Sequence, residues 1–205
     1  MNVSKSKIKE AIRQFKKHAG VMRTSETQEV GIHNRTLYHM LAKGHVTKLE
    51  RGLYKLSGSA MLSNPDWAIV AKKVPKATIC LISALDFHDM TTEIPHQVHI
   101  ALPRTSRNPT LDHPPIKVYR FSGESLTEGA ETHDVDGVEV KVYNPAKTIA
   151  DCFKFRNKIG LDIAIEALKK GIEEGKASYN EIVKYGKICR VKTVIQPYLE
   201  SIAHG

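Results

Sequence analysis

The chain is predicted to be α+β: an N-terminal winged helix-turn-helix followed by a mixed α/β domain with a small sheet and C-terminal helices. Three observations predict this. A helix–turn–helix–hairpin pattern runs from Met22 to Leu56. Segments rich in β-branched and aromatic residues follow in mid-chain, and helical spacing of apolar residues returns after Asn144.

Lys5 to His18 reads as a first helix, with Ile8, Ala11, Ile12 and Phe15 on one face. A short second helix starts at Thr24 or Ser25, where Ser25 and Gln28 fit a capping box, and Gly31 supplies its left-handed end. A third spans about Asn34 to Lys43. Its apolar residues Leu37, Met40 and Leu41 lie at i, i+3, i+4, and Gly44 closes it. At about 100° per residue, Arg35, His39 and Ala42 then face away from that stripe, flanked by Tyr38 and Lys43. Val46 to Leu49 and Leu53 to Leu56 read as two strands joined through Glu50-Arg51-Gly52.

Such a helix fits a major groove, where Arg, His and Tyr can reach base edges. The site read from this stretch places Arg35, Tyr38 and His39 in the groove. Lys16, Lys17, Arg23, Lys43 and Lys48 hold phosphates, and Arg51 sits at the wing tip. A plain helical unit with a hairpin would show the same pattern; charge tips the balance. Residues 1–57 hold 12 Lys/Arg against 4 Asp/Glu, while the remainder holds 19 against 18, so nearly all of the net +9 lies in this segment. A field of that kind attracts a polyanion. An anionic membrane surface is disfavoured, because no helix pairs a broad exposed apolar face with the basic one.

A length of 205 residues allows one large or two small domains. The sequence suggests a DNA-binding domain over 1–57, a linker over 58–65 and a mixed domain over 66–205. No stretch approaches the ~20 apolar residues of a membrane span, and the first ten residues do not read as a signal peptide. Three distant cysteines, Cys80, Cys152 and Cys189, suggest reduced, buried thiols and a cytoplasmic protein.

Asn64-Pro65-Asp66 is a strong helix start, and that helix should stop before Pro75. Ala77 to Phe87 reads as a short strand and then a helix from about Ser83. Gln97 to Leu102, Ile116 to Phe121 and Val138 to Tyr143 read as strands, the first two separated by a basic, Pro-containing loop with Arg104 and Arg107. Asn144-Pro145 starts a further helix that buries Ala146, Ile149, Ala150 and Phe153. Leu161 to Ile172 forms the next, ended by Gly175, and Ser178 caps another. Val191 to Ala203 is helical in pattern, with Pro197 expected to kink it or delay its start.

The pattern Val30-Gly31-Ile32, Leu37 to Leu41, Gly44 and Arg51-Gly52-Leu53-Tyr54 resembles the N-terminal domain of the AbiEi antitoxins of abortive-infection systems. Ser83-Ala84-Leu85-Asp86-Phe87-His88, Val98 to Leu102, Val138 to Val142 and Asn144-Pro145-Ala146-Lys147-Thr148-Ile149-Ala150-Asp151 resemble that family's second domain. The likeness covers roughly residues 10 to 175. Thr27 departs from it, since an apolar residue is usual there. The resemblance implies an antitoxin of a type IV toxin–antitoxin system that opposes a nucleotidyltransferase-like toxin without a stable complex. It also implies repression of the shared promoter through inverted repeats in double-stranded DNA. One winged helix per chain calls for two chains, a dimer on the DNA, at such a repeat.

Other functions fit less well. Glu139 and Lys141 share a strand face, with Asp112, Asp134 and Asp136 upstream, and could hold Mg²⁺ in a nuclease. The solvent face of a half-buried strand predicts the same alternation, and Asp134 and Asp136 suit a turn. His96 and His99, on one strand, would point to opposite faces, so no metal site is expected; neither is a catalytic residue or a cofactor. The alternative to the antitoxin is a winged-helix regulator whose second domain senses a ligand or protein partner, with a nuclease third.

Overall fold

The computed structural model describes residues 3–60 and 62–203. The chain folds into two compact units. One comprises Met1–Pro75, Pro109–Pro114 and Asp134–Val140; the other comprises Lys76–Asn108, Pro115–His133 and Lys141–Gly205. The fold is α+β, with two small sheets and helices at the C-terminal end. Among the described residues no helix is long and apolar enough to cross a membrane.

In the first unit, α1 (Lys5–Lys17) is capped by Ser4, whose hydroxyl accepts from the Lys7 amide. A short strand, β1 (Val21–Arg23), leads into α2 (Thr24–Glu29) and α3 (Asn34–Ala42). The strands β2 (Val46–Glu50) and β3 (Leu53–Leu56) follow. They form an antiparallel sheet in the order β1-β3-β2. The sequence reading lacked β1, a three-residue strand too short to show a period. The start of α2 also differs from expectation. The Arg23 amide donates to Glu26 Oε2 at 2.7 Å, so Glu26, not the expected Ser25–Gln28 pair, satisfies the free amide.

The core of this unit joins Ala11, Phe15, Met22, Ile32, Leu37, Met40, Val46, Tyr54 and Leu56, with Ile8, Ile12, Val30 and Leu41 at its margin. Thr27 is fully buried, and its hydroxyl donates to the Thr24 carbonyl at 2.8 Å. That bond is why a polar residue is tolerated where an aliphatic one would pack.

The helix α4 (Pro65–Lys73) starts at Asn64 as expected, its side chain accepting from the Trp67 amide. It packs on β1 and β3 and so belongs to the first unit, where the sequence boundary had put it in the second domain. Apolar spacing identifies a helix but not the neighbour it packs on. In the stretch expected as a linker, Ser59 Oγ donates to the Leu56 carbonyl at 2.7 Å.

The second sheet, most of whose residues belong to the second unit, has the order β6-β5-β4-β8-β7. Its strands are β4 (Thr78–Ile79), β5 (Val98–Pro103), β6 (Ile116–Phe121), β7 (Ala130–Val135) and β8 (Val138–Tyr143). Here β5 runs parallel to β6 and antiparallel to β4. The strand β7 was missed in the sequence, since Ala130 to Val135 is mostly polar. Its turn was legible: Asp136 and Gly137 have φ of +53° and +80°, as a two-residue type I′ hairpin requires. A side chain at Gly137 would also meet Ala19, with a Cβ–Cβ separation of 2.4 Å.

The helices are α5 (Leu81–Phe87), α6 (Glu124–Thr127), α7 (Pro145–Lys154), α8 (Arg156–Ile159), α9 (Leu161–Glu173), α10 (Tyr179–Ile188) and α11 (Lys192–Ala203). Every residue of α7 from Ala146 to Phe153 is buried, where the spacing had assigned it one buried face. Pro197 sits inside α11, which begins at Lys192; the proline does not delay its start. The capping box at Ser178 uses Glu181.

Candidate nucleic-acid interface

Helix α3 presents two faces. Thr36, Leu37 and Met40 are buried. Arg35, Tyr38 and Ala42 are exposed and His39 is half-buried, which places them at i, i+3, i+4, i+7 along one outward stripe. Tyr38 is 55% exposed despite its size. It lies beside Tyr54, whose phenol is pushed above its ordinary value first by burial and then by Tyr38. The turn before α3 is fixed by Ile32 N–H donating to the Thr27 carbonyl at 2.8 Å. Gln28 Nε2 also donates to Asn34 Oδ1 at 3.1 Å.

Lys16 and Lys17 are exposed in the last turn of α1, where cations favour the helix dipole. Lys43 is exposed at the C-terminal cap of α3. Lys48 is exposed on β2 opposite Tyr54, next to a register shift between Lys48 and Glu50. Arg51 is exposed at the hairpin tip, and its carbonyl accepts from Lys73 Nζ at 2.5 Å. The far side of that tip is tied to α2, with Thr24 N–H donating to the Gly52 carbonyl at 2.9 Å.

Arg23 departs from this group. It is half-buried, its Nη2 lies 3.6 Å from Glu26 Oε1, and Glu26 also holds Lys72 Nζ at 3.2 Å. Its role in the fold is to brace the start of α2 rather than to offer a free cation. Asn34 and Thr47 are exposed beside the predicted groups and were not singled out in the sequence, where polar uncharged residues carry little signal.

Of the acidic residues weighed for a nuclease, Asp134 and Asp136 use their carboxylates in local hydrogen bonds. Asp134 Oδ1 accepts from the Gly137 amide at 2.8 Å, and Asp136 Oδ2 accepts from the Ser63 amide and hydroxyl. Those bonds hold the Asp136 carboxyl below its ordinary value. The Asp112 amide donates to Glu50 at 3.4 Å. No group of three or more His, Cys, Asp or Glu side chains converges as a metal site among the described residues.

His96 and His99 line one cavity rather than opposite faces, because β5 begins at Val98 and His96 lies in the loop before it. Burial drives His99 down to about 4. In the second unit, Lys147 Nζ meets Asp151 Oδ2 at 2.5 Å, both side chains fully buried. Cys189 Sγ donates to Asp151 Oδ1 at 3.2 Å. The three cysteines are all buried free thiols. Burial raises the Cys189 thiol to about 12 and the other two well above the ordinary range, which favours the neutral thiol in each.

No protein-family model matches the chain, and no curated protein matches it in sequence. Among solved structures, it is similar to the Rv2827c protein from Mycobacterium tuberculosis. That likeness has a TM-score of 0.60 at 11% identity and covers 90% of this chain and 72% of the other. At that identity the likeness concerns the fold alone.

Proposed function

We propose that the first unit is a winged helix that binds double-stranded DNA, and that the protein is a promoter repressor and antitoxin of the type IV kind. The observation that carries the DNA reading is the outward stripe Arg35, Tyr38, His39 and Ala42 of α3. It lies in the same unit as a two-stranded hairpin bearing Lys48 and Arg51, in the segment that holds the chain's excess positive charge. In this reading α3 enters the major groove, with Arg35 reading a base edge and Tyr38 and His39 beside it. Lys16, Lys17, Lys43 and Lys48 contact phosphates, and Arg51 reaches the backbone or minor groove from the wing. One such unit per chain calls for two chains on an inverted repeat.

The antitoxin part rests on the sequence resemblance. Several residues that carry it have a structural task. Asn144 caps α7 by accepting from the Lys147 amide, and Lys147 and Asp151 pair inside the core. Ser83 is fully buried and accepts from the His99 amide at 2.9 Å.

The test is binding to the operator upstream of the gene and to random duplex over a salt series. Lys48→Ala should weaken both DNAs alike and reduce the salt slope by about one ion. Arg35→Ala should cost about 1–3 kcal/mol, mainly on the operator. An equal loss on both DNAs would remove α3 as the reader. The antitoxin reading is tested by identifying the adjacent gene, where a nucleotidyltransferase-like product is expected, and co-expressing the two. Full-length Arg35→Ala should lose repression and keep rescue. Point variants are the right tool, because a fragment starting at Asn64 would retain three pieces of the first unit without the rest of it.

A further inference from the structure

The second unit contains a cavity of about 700 Å³ that the DNA-binding reading leaves unused. Four cations line it: Arg104 after β5, Lys154 at the end of α7, and Lys187 and Arg190 around the end of α10. Glu124 is the one carboxylate of the lining. None of the four cations forms an ion pair with a carboxylate among the described residues, whereas Lys147, Lys170 and Lys176 all do. Lys154 Nζ also lies 5.4 Å from the centre of the Phe121 ring and 5.9 Å from that of Phe155, while Arg104, Lys187 and Arg190 are exposed. Four cations against one carboxylate around one concave space repel one another unless an anion lies between them.

Arg190 adds a separate argument. Helix α10 ends in a Schellman motif: Val191 N–H donates to the Gly186 carbonyl at 2.8 Å, and Arg190 N–H to the Lys187 carbonyl at 3.0 Å. The residue at the left-handed position of that motif is usually glycine. Here it is Arg190, with φ +59°. Helix α9 closes with a glycine at the corresponding place, Gly175, with φ +67°. A cation at this helix end suits the dipole, as it would at other positions of the last turn; at the left-handed position it also puts a guanidinium at the cavity.

We propose that this cavity binds the oligophosphate group of a small phosphorylated ligand, with a nucleoside 5′-triphosphate as the class that fits. The volume lies in the range of small-molecule sites. Guanidinium and ammonium groups converging from three chain segments match the charge density of a triphosphate. Arginine adds bidentate geometry toward phosphate oxygens. A duplex backbone, which is convex and spaces its phosphates along a line, fits this concavity less well. Ile188 and Val191 supply an apolar shelf, but no aromatic ring lines the space to stack on a base. The site therefore selects for phosphate number and discriminates weakly between bases.

The test is calorimetric titration of the full chain at about 0.15 M salt, where exposed charges are largely screened beyond 8–10 Å. The probes are tripolyphosphate, ATP, GTP, inorganic phosphate and a random DNA duplex. Tripolyphosphate, ATP and GTP should bind with similar affinity, and inorganic phosphate at least tenfold more weakly. Arg190→Ala and Lys187→Ala, both exposed and so safe for folding, should each weaken triphosphate binding on the order of tenfold. Lys141→Ala, exposed elsewhere on the second unit, should leave it unchanged. Arg35→Ala should leave it unchanged too, so failure here is separate from failure of the DNA reading. Absence of binding by all three oligophosphates overturns the proposal. So does equal weakening by Lys141→Ala, which would mean diffuse surface charge. A duplex that outcompetes triphosphate and depends on Arg190 would reassign the cavity to nucleic-acid backbone.

Discussion

Helices α3 and α7 are of similar length and both carry charged residues, yet they use them in opposite ways. Helix α3 turns Arg35 and His39 away from a narrow apolar stripe of Leu37 and Met40, and its chemistry faces outward. Helix α7 is enclosed from Ala146 to Phe153, so Lys147 and Asp151 meet each other inside the core. In sequence the second pair looks like an ordinary i,i+4 surface ion pair. Its burial is explained by its surroundings: Lys147 Nζ lies 3.9 Å from the centre of the Tyr143 ring and 5.0 Å from that of Phe121. Two aromatic faces, a carboxylate and a thiol donor together replace the water that both charges lost. Charge spacing along a helix therefore says that two groups can meet, and not whether they meet in water.

The largest expected effect comes from breaking the buried pair. Asp151→Ala leaves Lys147 without a counter-charge and should cost about 3–5 kcal/mol of unfolding free energy. The double replacement Lys147→Met with Asp151→Leu should cost much less, since it removes both charges from the core. Urea unfolding of the three proteins decides this. A double variant as unstable as Asp151→Ala would mean that the pair is required for packing shape rather than for charge balance.

On the other helix the loss should follow burial. Leu37 is fully buried, so Leu37→Ala should cost about 2–5 kcal/mol. Leu41 is only partly buried at the margin of the same core, so Leu41→Ala should cost less than half as much. Equal losses would contradict the register of α3 and the outward assignment of Arg35.

His99 sharpens the contrast from a third direction, because it is buried without a charge partner. It is 6% exposed and its Nδ1 has no hydrogen-bond partner. Burial lowers it from 6.5 to about 4, with Lys117 adding to the shift. Between those values the unfolded chain binds the proton and the folded one does not. His99 thus contributes stability that is fully present above about pH 6.5 and is lost as pH falls toward 4. The loss should reach about 3 kcal/mol, and His99→Gln should remove most of that slope. Denaturant midpoints at pH 7 and pH 4.5 measure it; a variant that keeps the wild-type slope places the acid sensitivity in another group.

Much of this was legible in the sequence, and the misses share a cause. The helices α1, α3, α4, α7, α9 and α10 all show period and caps, and Asn64, Asn144 and Ser178 cap as read. The outward face of α3 followed from the position of Leu37 and Met40 alone. What stayed hidden depends on partners distant in the chain. Arg23 looks like a free cation until Lys72 and Glu26 are seen beside it. Helix α4 has no label saying which sheet it covers. Arg104, Lys154, Lys187 and Arg190 span 87 positions, and nothing local announces that they face one space.

The smallest expected effect concerns that last group and compares two helix ends of one unit. Gly175 closes α9 and Arg190 closes α10 in the same left-handed geometry. A residue with a Cβ there costs on the order of 1 kcal/mol relative to glycine. Arg190→Gly should therefore stabilise the protein by up to about 1 kcal/mol, less whatever glycine loses through the greater freedom of the unfolded chain. It should do so while weakening oligophosphate binding. The reverse change, Gly175→Arg, has open space for its Cβ and so should destabilise only through backbone strain, by a similar amount. It should leave ligand binding untouched, since Gly175 does not line the cavity. Opposite signs in stability at the two ends, with binding lost at only one, would separate a helix end shaped for folding from one shaped for a ligand. An Arg190→Gly variant that is less stable than the parent would show that the guanidinium supports the fold itself.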